Sequence, residues 1–421
     1  MRLAATAPRV GLFGLLGSGN SGNDASMETV LSYLRDAHPD ATVDVMGGGE
    51  PARMRTEYGL DATPLYWYQK FTRRKSGVPQ SVLKVLGKGI DVFRTMSWVG
   101  RHDVVIVPGA GALEATLPMR PWGFPFTLFL LCSTARLYRT KVALVSVGAD
   151  TINQPAVRWL SDASARLACY RSYRDSSSLE AMRQRGIDTS RDHVFPDLVF
   201  GVPTPPFDPG DPEAVGVGVM AYYGGNDDRD RADEIHAAYT EKMKAFTRWL
   251  VDSGHKVRLF GGDSKFDWDV ADQILAHLRD YRPDLDPSRA SADRVATYAE
   301  LMRLMSPLGV VVATRYHNVM CALKLCKPTI SLGYSRKFAT LMRDMGLGEF
   351  NQYAHSFDVE RLIEQFTEME KRRAELQQQV AHRNMENQRA LEEQFALLSE
   401  VLFGTGKKAE RVRLAGRHAE R

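Results

Sequence analysis

The sequence predicts an α/β protein made of two Rossmann-like, doubly wound domains that face a cleft, followed by a long carboxyl-terminal helix. Short β-branched apolar runs alternate with segments of helical periodicity along both halves of the chain, a pattern typical of parallel sheets flanked by helices. Five prolines within residues 203–212 separate the two halves. With 421 residues, the chain is also longer than a single hydrophobic core usually organises.

We therefore expect five segments. The amino-terminal domain covers residues 1–203, a linker covers 204–212, and the carboxyl-terminal domain covers 213–357. A helix over 358–403 either crosses back onto the first domain or pairs with a partner, including a second copy of the chain. Residues 404–421 form a basic tail that is expected to be solvated, with an anionic membrane surface as its alternative contact.

The first domain opens with a βαβ pattern. Strands are predicted at residues 9–14 and 41–46, and a helix running through residues 27–37, which Asn23 or Asp24 can cap, is predicted between them. The connecting loop, Gly17-Ser-Gly-Asn-Ser-Gly22, matches the G-x-G-x-x-G pattern of dinucleotide-binding loops. The acidic partner of that pattern is misplaced, because Asp44 lies inside the second strand rather than at its end. We therefore expect no cofactor, and we assign the glycines to close approach of the backbone.

Further along the first domain, residues 50–88 are basic and irregular, which indicates either a solvated surface or a loop that faces an acceptor or a lipid. Strands are expected at residues 103–108 and 141–148, with a buried helix between them. Arg174 and Asp175 open another helix. Asp175 is a candidate cap, and Arg174 either contacts a ligand or pairs with a neighbour.

The second domain contains a cluster of acidic residues that resembles a metal site at first sight. A strand is expected over residues 255–260, and four aspartates follow it closely, namely Asp263, Asp267, Asp269 and Asp272. They lie at the start of a predicted helix, where carboxylates interact favourably with the helix dipole in any case. We therefore predict no metal.

The stretch from Val310 to Asn318 is the centre of the predicted site. Its three consecutive valines predict a buried strand, and a helix is expected to begin at Asn318. Arg315, Tyr316 and His317 would then lie on the turn at the carboxyl edge of the sheet, where ligands bind in α/β proteins. An arginine and a helix amino terminus bind anions, and a histidine transfers protons near neutral pH.

Composition excludes several classes of function. The formal net charge of +4 equals the surplus of the tail, where six lysines and arginines oppose two glutamates over residues 407–421. The rest of the chain is then nearly neutral, which argues against nucleic-acid binding. The four cysteines lack C-x-x-C spacing and predict buried thiols in a reducing, cytoplasmic compartment. The first ten residues lack the apolar region of a signal peptide, and the most apolar run is too short to cross a bilayer.

The residues after the central strand extend into a longer motif, R-Y-H-N-x3-A-L-x4-P-x5-Y-x2-K-x8-G-L, which runs from Arg315 to Leu347. This motif resembles the carboxyl-terminal signature of the polysaccharide pyruvyl transferase family. The amino-terminal half resembles the family at four places: Asn20 to Asn23 in the glycine-rich loop, the strand end at residues 109–114, the run from Arg174 to Ser178, and Asp197. Asn23 departs from the acid that is usual at its position, and Asp24 is a candidate replacement.

The resemblance implies a glycosyltransferase-B-like arrangement with the acceptor in the first domain and the donor in the second. It implies phosphoenolpyruvate as donor and a saccharide or glycolipid as acceptor, joined as a cyclic pyruvate ketal with release of phosphate. His317 and Arg315 are the expected catalytic residues, and His317 either transfers a proton or only binds phosphate. The expected substrate-binding residues are Arg174, Lys337, Asn20, Asn23, Tyr316 and Asn318. Two alternatives remain open, a nucleotide-sugar-dependent glycosyltransferase and a non-catalytic glycan-binding relative.

Overall fold

A computed structural model describes residues 7–18, 20–67, 80–114, 120–262, 265–295 and 297–404. The chain divides into two compact units. Unit 1 comprises Met1–Val202 together with Asn387–Arg421, and unit 2 comprises Pro203–Glu386. The backbone therefore passes from one unit to the other twice, once near residue 202 and once within the last helix.

Unit 1 contains a seven-stranded parallel sheet. The strands are β1 (Arg9–Gly14), β2 (Thr42–Gly47), β3 (Asp61–Pro64), β4 (Val104–Pro108), β5 (Lys141–Val147), β6 (Tyr170–Tyr173) and β7 (His193–Val194). The helices are α1 (Ser21–Ala37), α2 (Pro51–Tyr58), α3 (Gln80–Val99), α4 (Phe124–Tyr138), α5 (Pro155–Leu167) and α6 (Ser176–Gln184). The strand order is β3-β2-β1-β4-β5-β6-β7, which places the topological switch point between β1 and β4.

Unit 2 contains a six-stranded parallel sheet of the same design. Its strands are β8 (Asp211–Gly218), β9 (Lys256–Phe260), β10 (Ala290–Asp293), β11 (Leu308–Ala313), β12 (Thr329–Gly333) and β13 (Asn351–Tyr353). Its helices are α7 (Ala232–Asp252), α8 (Lys265–Tyr281), α9 (Tyr298–Met305), α10 (Tyr316–Lys324), α11 (Arg336–Asp344) and α12 (Val359–Lys371). The last described helix, α13 (Arg373–Phe403), begins in unit 2 and ends in unit 1. The order β10-β9-β8-β11-β12-β13 places this switch point between β8 and β11.

The two faces of the unit 1 sheet are covered differently. On one face, helices α3, α4 and α5 contribute buried residues such as Trp98, Leu128 and Ala165 to a core with Val105 and Leu144 of the strands. The carboxyl-terminal part of α13 belongs to the same unit and packs elsewhere on it. Its Gln394 side chain, which is fully buried, donates hydrogen bonds to the hydroxyls of Ser146 in β5 and Ser172 in β6. The Phe395 ring stacks on Tyr33 of α1 with centroids 4.5 Å apart.

The predicted fold class is confirmed, and most predicted elements lie within a few residues of the observed ones. The predicted single helix over 358–403 is wrong in one respect, because it breaks at Arg372 into α12 and α13. The prediction of an irregular region over residues 50–88 is also wrong for its first and last parts, and the last part begins α3 at Gln80. Pro51 starts α2, the left-handed Gly59 ends it, and the short strand β3 follows. Residues 68–79 of that region lie outside the described part of the chain.

Two smaller corrections concern the linker and the cysteines. Strand β8 begins at Asp211, so the last two residues of the predicted linker belong to a strand. The prediction that all cysteines are buried fails for Cys169, which is exposed at the start of β6, whereas Cys132 and Cys321 are buried. Among the described helices, none is both long and apolar enough to cross a membrane. The basic tail after residue 404 lies outside the described residues.

Candidate functional site

Arg315 occupies the switch point of the unit 2 sheet. It is the cap residue of α10 and follows directly after β11, whose end pairs with the end of β8 through Ala313 and Gly218. The guanidinium forms a two-pronged ion pair with Asp267, in which Nε donates to Oδ2 and Nη2 donates to Oδ1, both at 2.7 Å. Asp267 is completely buried, whereas the Arg315 side chain is 30% exposed. The buried carboxylate thus holds the guanidinium in place, and part of the Arg315 side chain remains exposed to solvent.

Backbone donors fix the Asp267 carboxylate as well. Its Oδ1 accepts a hydrogen bond from the N–H of Ala221, and its Oδ2 accepts one from the N–H of Gly262. These residues follow the ends of β8 and β9, while Asp267 itself lies in the first turn of α8. A Cβ on Gly262 would lie 2.9 Å from the carboxylate and 3.3 Å from Nε of Arg315, so only glycine allows this approach. Asp267 therefore connects three chain segments at the switch point.

Helices α10 and α11 place further polar side chains beside Arg315. Tyr316 is nearly buried, and its ring packs edge-on against Phe338 with centroids 5.2 Å apart. The Nζ atom of Lys337 lies 5.0 Å from the centroid of the Tyr316 ring, and the His317 ring centroid lies 6.1 Å from it. The Tyr316 ring thus contacts both the lysine and the histidine.

The expected turn at residues 315–317 is in fact the beginning of a helix, since α10 starts at Tyr316 rather than at Asn318. Asn318 is buried, and its amide donates a hydrogen bond to the carbonyl of Gly261 at 3.3 Å. That contact joins α10 to the end of β9. Sequence reasoning assigned Asn318 to substrate, whereas the structure shows it holding two parts of the scaffold together.

A buried tyrosine supports the same strand end from below. The hydroxyl of Tyr239 in α7 shares a hydrogen bond with Thr314 Oγ1 at 2.8 Å and accepts one from the N–H of Met220 at 3.3 Å. Burial raises the pKa of Tyr239 well above its usual value, so the phenol stays neutral. Tyr239 therefore fixes the ends of β8 and β11, and nothing in its sequence neighbourhood indicated this role.

The carboxyl edge of the unit 1 sheet has a different composition. Arg174, which follows β6, is almost fully buried and lies among three carboxylates. Its Nη2 donates a short hydrogen bond to Glu114 Oε1, its Nη1 lies 3.4 Å from Asp197 Oδ2, and its Nε lies 3.8 Å from Asp175 Oδ2. Arg174 therefore pairs with its neighbours, and its contact with a ligand stays a prediction.

The three carboxylates around Arg174 are held in different ways. Asp175 caps α6, as expected, by accepting a hydrogen bond from the N–H of Ser178. Asp197 accepts one from the N–H of Val199 at 3.1 Å. Burial raises the pKa of Asp197 above its usual value, and the positive charge of Arg174 opposes that shift without cancelling it. The single positive charge of Arg174 thus lies beside three carboxyl groups.

The glycine-rich loop of unit 1 is organised by residues other than those expected to cap α1. Asn20 is the cap, and its side chain accepts a hydrogen bond from the N–H of Asn23 at 3.2 Å. Asp24 lies buried in the first turn and accepts a 2.6 Å hydrogen bond from the N–H of Gly17. The prediction that Asn23 or Asp24 is the cap is therefore wrong, because α1 begins earlier, at Ser21. Gly19 of this loop lies outside the described residues.

The structure thus brings four predicted residues together in unit 2: Arg315, Tyr316, His317 and Lys337. The other predicted residues of unit 1, Arg174, Asn20 and Asn23, lie after β6 and β1. Sequence reasoning missed the roles of Asp267, Glu114 and Tyr239. Asp267 was considered as a metal ligand or as an acid at a helix start. Among the described residues, no group of three or more histidines, cysteines or carboxylates is arranged to hold a metal ion.

Comparisons with known proteins show the family and the fold of the chain. Over residues 20–336 the chain matches the family model described as polysaccharide pyruvyl transferase. No curated protein sequence matches it significantly. Among solved structures, it resembles the UDP-GlcNAc 2-epimerase of Neisseria meningitidis, with a TM-score of 0.59, 12% identity, and coverage of 94% of this chain and 100% of that one.

Two further structures show the same fold. A putative UDP-N-acetylglucosamine 2-epimerase from Listeria monocytogenes gives a TM-score of 0.62 at 11% identity and covers 94% of this chain and 97% of its own. MurG of Acinetobacter baumannii gives 0.54 at 10% identity, with 93% and 99% covered. These identities show a common fold of two Rossmann-like domains and nothing finer. The family match covers well over half of the chain, and the protein belongs to the polysaccharide pyruvyl transferase family.

Proposed function

We propose that this protein transfers the pyruvyl group of phosphoenolpyruvate onto a saccharide or glycolipid as a cyclic ketal and releases phosphate. The observation that carries the proposal is the arginine at the unit 2 switch point, which a fully buried carboxylate holds in place. A preorganised guanidinium at the end of a parallel strand, beside a helix amino terminus, suits a ligand with several anionic oxygens.

The reaction itself sets the groups that are needed. Two acceptor hydroxyl oxygens form bonds to the enol-ether carbon of phosphoenolpyruvate, and the bond from that carbon to the phosphate oxygen breaks. One hydroxyl proton is balanced by the proton gained at the methylene carbon, which becomes a methyl group, and the other by the proton on the released phosphate. No redox step or cofactor enters this balance. The protein must supply cations for the phosphate and carboxylate, and groups that move protons.

Unit 2 offers these groups around one tyrosine. We assign the phosphate and carboxylate of the donor to Arg315, Lys337 and the first N–H groups of α10. His317, in the first turn of that helix, is assigned to proton transfer, a contribution of typically about 10²–10⁴-fold in rate. The Tyr316 ring, which contacts both Lys337 and His317, is assigned to keeping their spacing.

Unit 1 offers hydrogen-bond acceptors for an uncharged, hydroxyl-rich acceptor. Glu114 and Asp197 present carboxylate oxygens at the carboxyl edge of its sheet, and Arg174 holds both. Carboxylates accept hydrogen bonds from sugar hydroxyls and repel a second anionic ligand. We therefore assign the acceptor to this edge and the donor to unit 2.

Ligand-induced thermal stabilisation tests the donor assignment. Phosphoenolpyruvate at about 100 times its dissociation constant should stabilise the protein by about 2.7 kcal/mol, and Arg315→Ala should abolish that response. Arg294→Ala is the matched control, because Arg294 also pairs with an aspartate of α8 but at the surface, 3.1 Å from Asp272. The control should keep the full response.

The same thermal-stabilisation measurement also tests the alternative function, a nucleotide-sugar-dependent enzyme. The similar Neisseria meningitidis structure is a UDP-GlcNAc 2-epimerase with bound UDP-GlcNAc. A clear shift with UDP or UDP-GlcNAc beside no shift with phosphoenolpyruvate would favour the nucleotide-sugar enzyme and end the donor assignment. Glycan binding without phosphate release, measured with a phosphate assay, would favour the non-catalytic alternative.

A further inference from the structure

Four large apolar side chains are exposed on the outer surface of the helical layer formed by α3, α4 and α5 of unit 1. Phe93 is 75% exposed, Leu137 69%, Trp159 60% and Tyr138 49%. The inner surfaces of the same helices pack against the sheet. Single exposed apolar residues are common, so the question is whether these four form one continuous surface.

Contacts between the helices and spacing along them place these residues on neighbouring parts of the layer. The Trp159 ring of α5 lies 5.2 Å from the ring of Phe129 in α4. Leu137 lies eight positions after Phe129, which places both on the same stripe of α4. Tyr138, at the end of α4, lies beside Gly100, just after α3. A Cβ atom added at Gly100 would be 3.5 Å from the Tyr138 ring. Phe93 lies on α3, seven positions before Gly100.

The exposed charges of α4 and α5 have one sign. The sequences of α4 and α5 contain a single carboxylate, Asp162. Asp162 is buried and pairs with Arg185, the residue that ends α6. Their exposed charges are all arginines, and Arg139 follows directly after α4: the set is Arg136, Arg139, Arg158 and Arg166. In α4 and α5, the exposed charged side chains near the exposed aromatic and aliphatic groups are therefore arginines. Neither helix has an exposed carboxylate.

We propose that this surface, the arginine–aromatic face (Phe93, Leu137, Tyr138, Trp159, Arg136, Arg139, Arg158 and Arg166), binds an anionic lipid bilayer. Tryptophan and tyrosine settle at the level of the lipid headgroups, and arginines bind lipid phosphates. A second copy of the chain fits less well, because a twofold contact through this face would bring arginines against arginines. The proposal does not depend on the reaction, since it requires no substrate.

Vesicle flotation of the full-length protein tests the proposal. Vesicles of phosphatidylcholine with 30% phosphatidylglycerol, chosen as a probe, should bind the protein, and vesicles of phosphatidylcholine alone should bind it on the order of tenfold less. The double variant Trp159→Ser/Leu137→Ser should lower the partition coefficient on the order of tenfold or more. Arg136→Gln and Arg166→Gln should each lower it about fivefold.

Matched controls separate this face from the rest of the molecule. Phe207→Ser removes an exposed phenylalanine of unit 2, and Arg279→Gln removes an exposed arginine of α8, so both should leave binding unchanged. Deletion of residues 407–421 should lower binding less than the double variant does. Circular dichroism and thermal midpoints check that every variant is folded, as expected for substitutions at exposed positions.

Three results would overturn the proposal. The first is equal binding of the double variant and the wild type, which would leave the tail as the membrane contact. The second is equal binding to neutral and anionic vesicles. The third is a dimer in sedimentation velocity that the double variant converts to a monomer, which would make the face an interface between copies of the chain.

Discussion

The two sheets of this protein have the same strand order but opposite chemistry at their carboxyl edges. In unit 2, the buried Asp267 holds one face of Arg315, and Lys337 and His317 lie close by around Tyr316. In unit 1, Arg174 lies among three carboxylates. The same architecture thus provides a cationic edge in one unit and an anionic edge in the other. The two edges thus differ in the partners of the central arginine rather than in the order of their strands.

Removal of Asp267 should have the largest effect. Asp267→Ala leaves Arg315 without its buried counter-ion and leaves two backbone N–H groups without an acceptor, so we expect a loss of about 3–5 kcal/mol in the free energy of unfolding. The loss would be measured by urea denaturation, and the phosphoenolpyruvate-induced stabilisation should vanish too. Asp272→Ala, in the same helix but at an exposed ion pair, should cost under about 1 kcal/mol. Equal losses in the two variants would contradict the central role of Asp267.

Substitution of His317 separates binding from chemistry at the cationic edge. His317→Ala should lower turnover about a hundredfold, or about 2.7 kcal/mol at 1.36 kcal/mol per decade, while phosphoenolpyruvate still binds, because Arg315 and the amino terminus of α10 remain. His317→Gln keeps a hydrogen-bond donor but transfers no proton, so it should be equally slow. Turnover near that of the wild type in the Gln variant would show that His317 only binds phosphate. Phosphate release and thermal shift measured on the same preparations decide between these roles.

Substitution of Glu114 tests the anionic edge. Glu114→Gln weakens the buried contact with Arg174, which retains Asp197 and Asp175, so we expect a loss of about 1–3 kcal/mol in stability. Use of the saccharide acceptor should fall, and the thermal response to phosphoenolpyruvate should stay unchanged. Glu180→Gln, at an exposed pair with Arg183 in α6, is the matched control and should be silent. A lost donor response in the Glu114 variant would show that the two edges do not divide the substrates as we propose.

The pH dependence of unit 1 should show a smaller effect, confined to the acid range. The folded state raises the pKa of Asp197, so the folded protein binds this proton more tightly than the unfolded chain, whose value is about 3.9. The contribution of Asp197 to stability therefore falls as pH rises from about 4 through the raised value. Asp197→Asn lacks this fall, so its thermal midpoint should improve relative to the wild type between pH 4 and pH 7. A difference that stays constant or reverses over that interval would show that Arg174 neutralises Asp197 fully.

Local sequence signals predicted the elements and part of the candidate site. The alternation of β-branched runs with helical periodicity predicted both sheets, and the strand-to-helix pattern placed Arg315 and His317 at a sheet edge, whereas Lys337 came from the family resemblance. Such signals work because strand and helix periodicities are read within a window of a few turns. They fail at element ends, which explains why Asn20 rather than Asn23 or Asp24 caps α1, and why α10 begins at Tyr316.

The sequence by itself thus determined the fold class, the family and the positions of Arg315 before α10 and Arg174 before α6. The tertiary structure alone decided their partners. Asp267 lies 48 positions from Arg315, and Glu114 lies 60 positions from Arg174. Each pair meets because of the order of strands within its sheet, which places the segments after β8, β9 and β11 together in unit 2 and those after β4 and β6 near one another in unit 1. Periodicity along the chain carries no record of that order, so the carboxylate partners of the two arginines emerge only when the sheets are assembled.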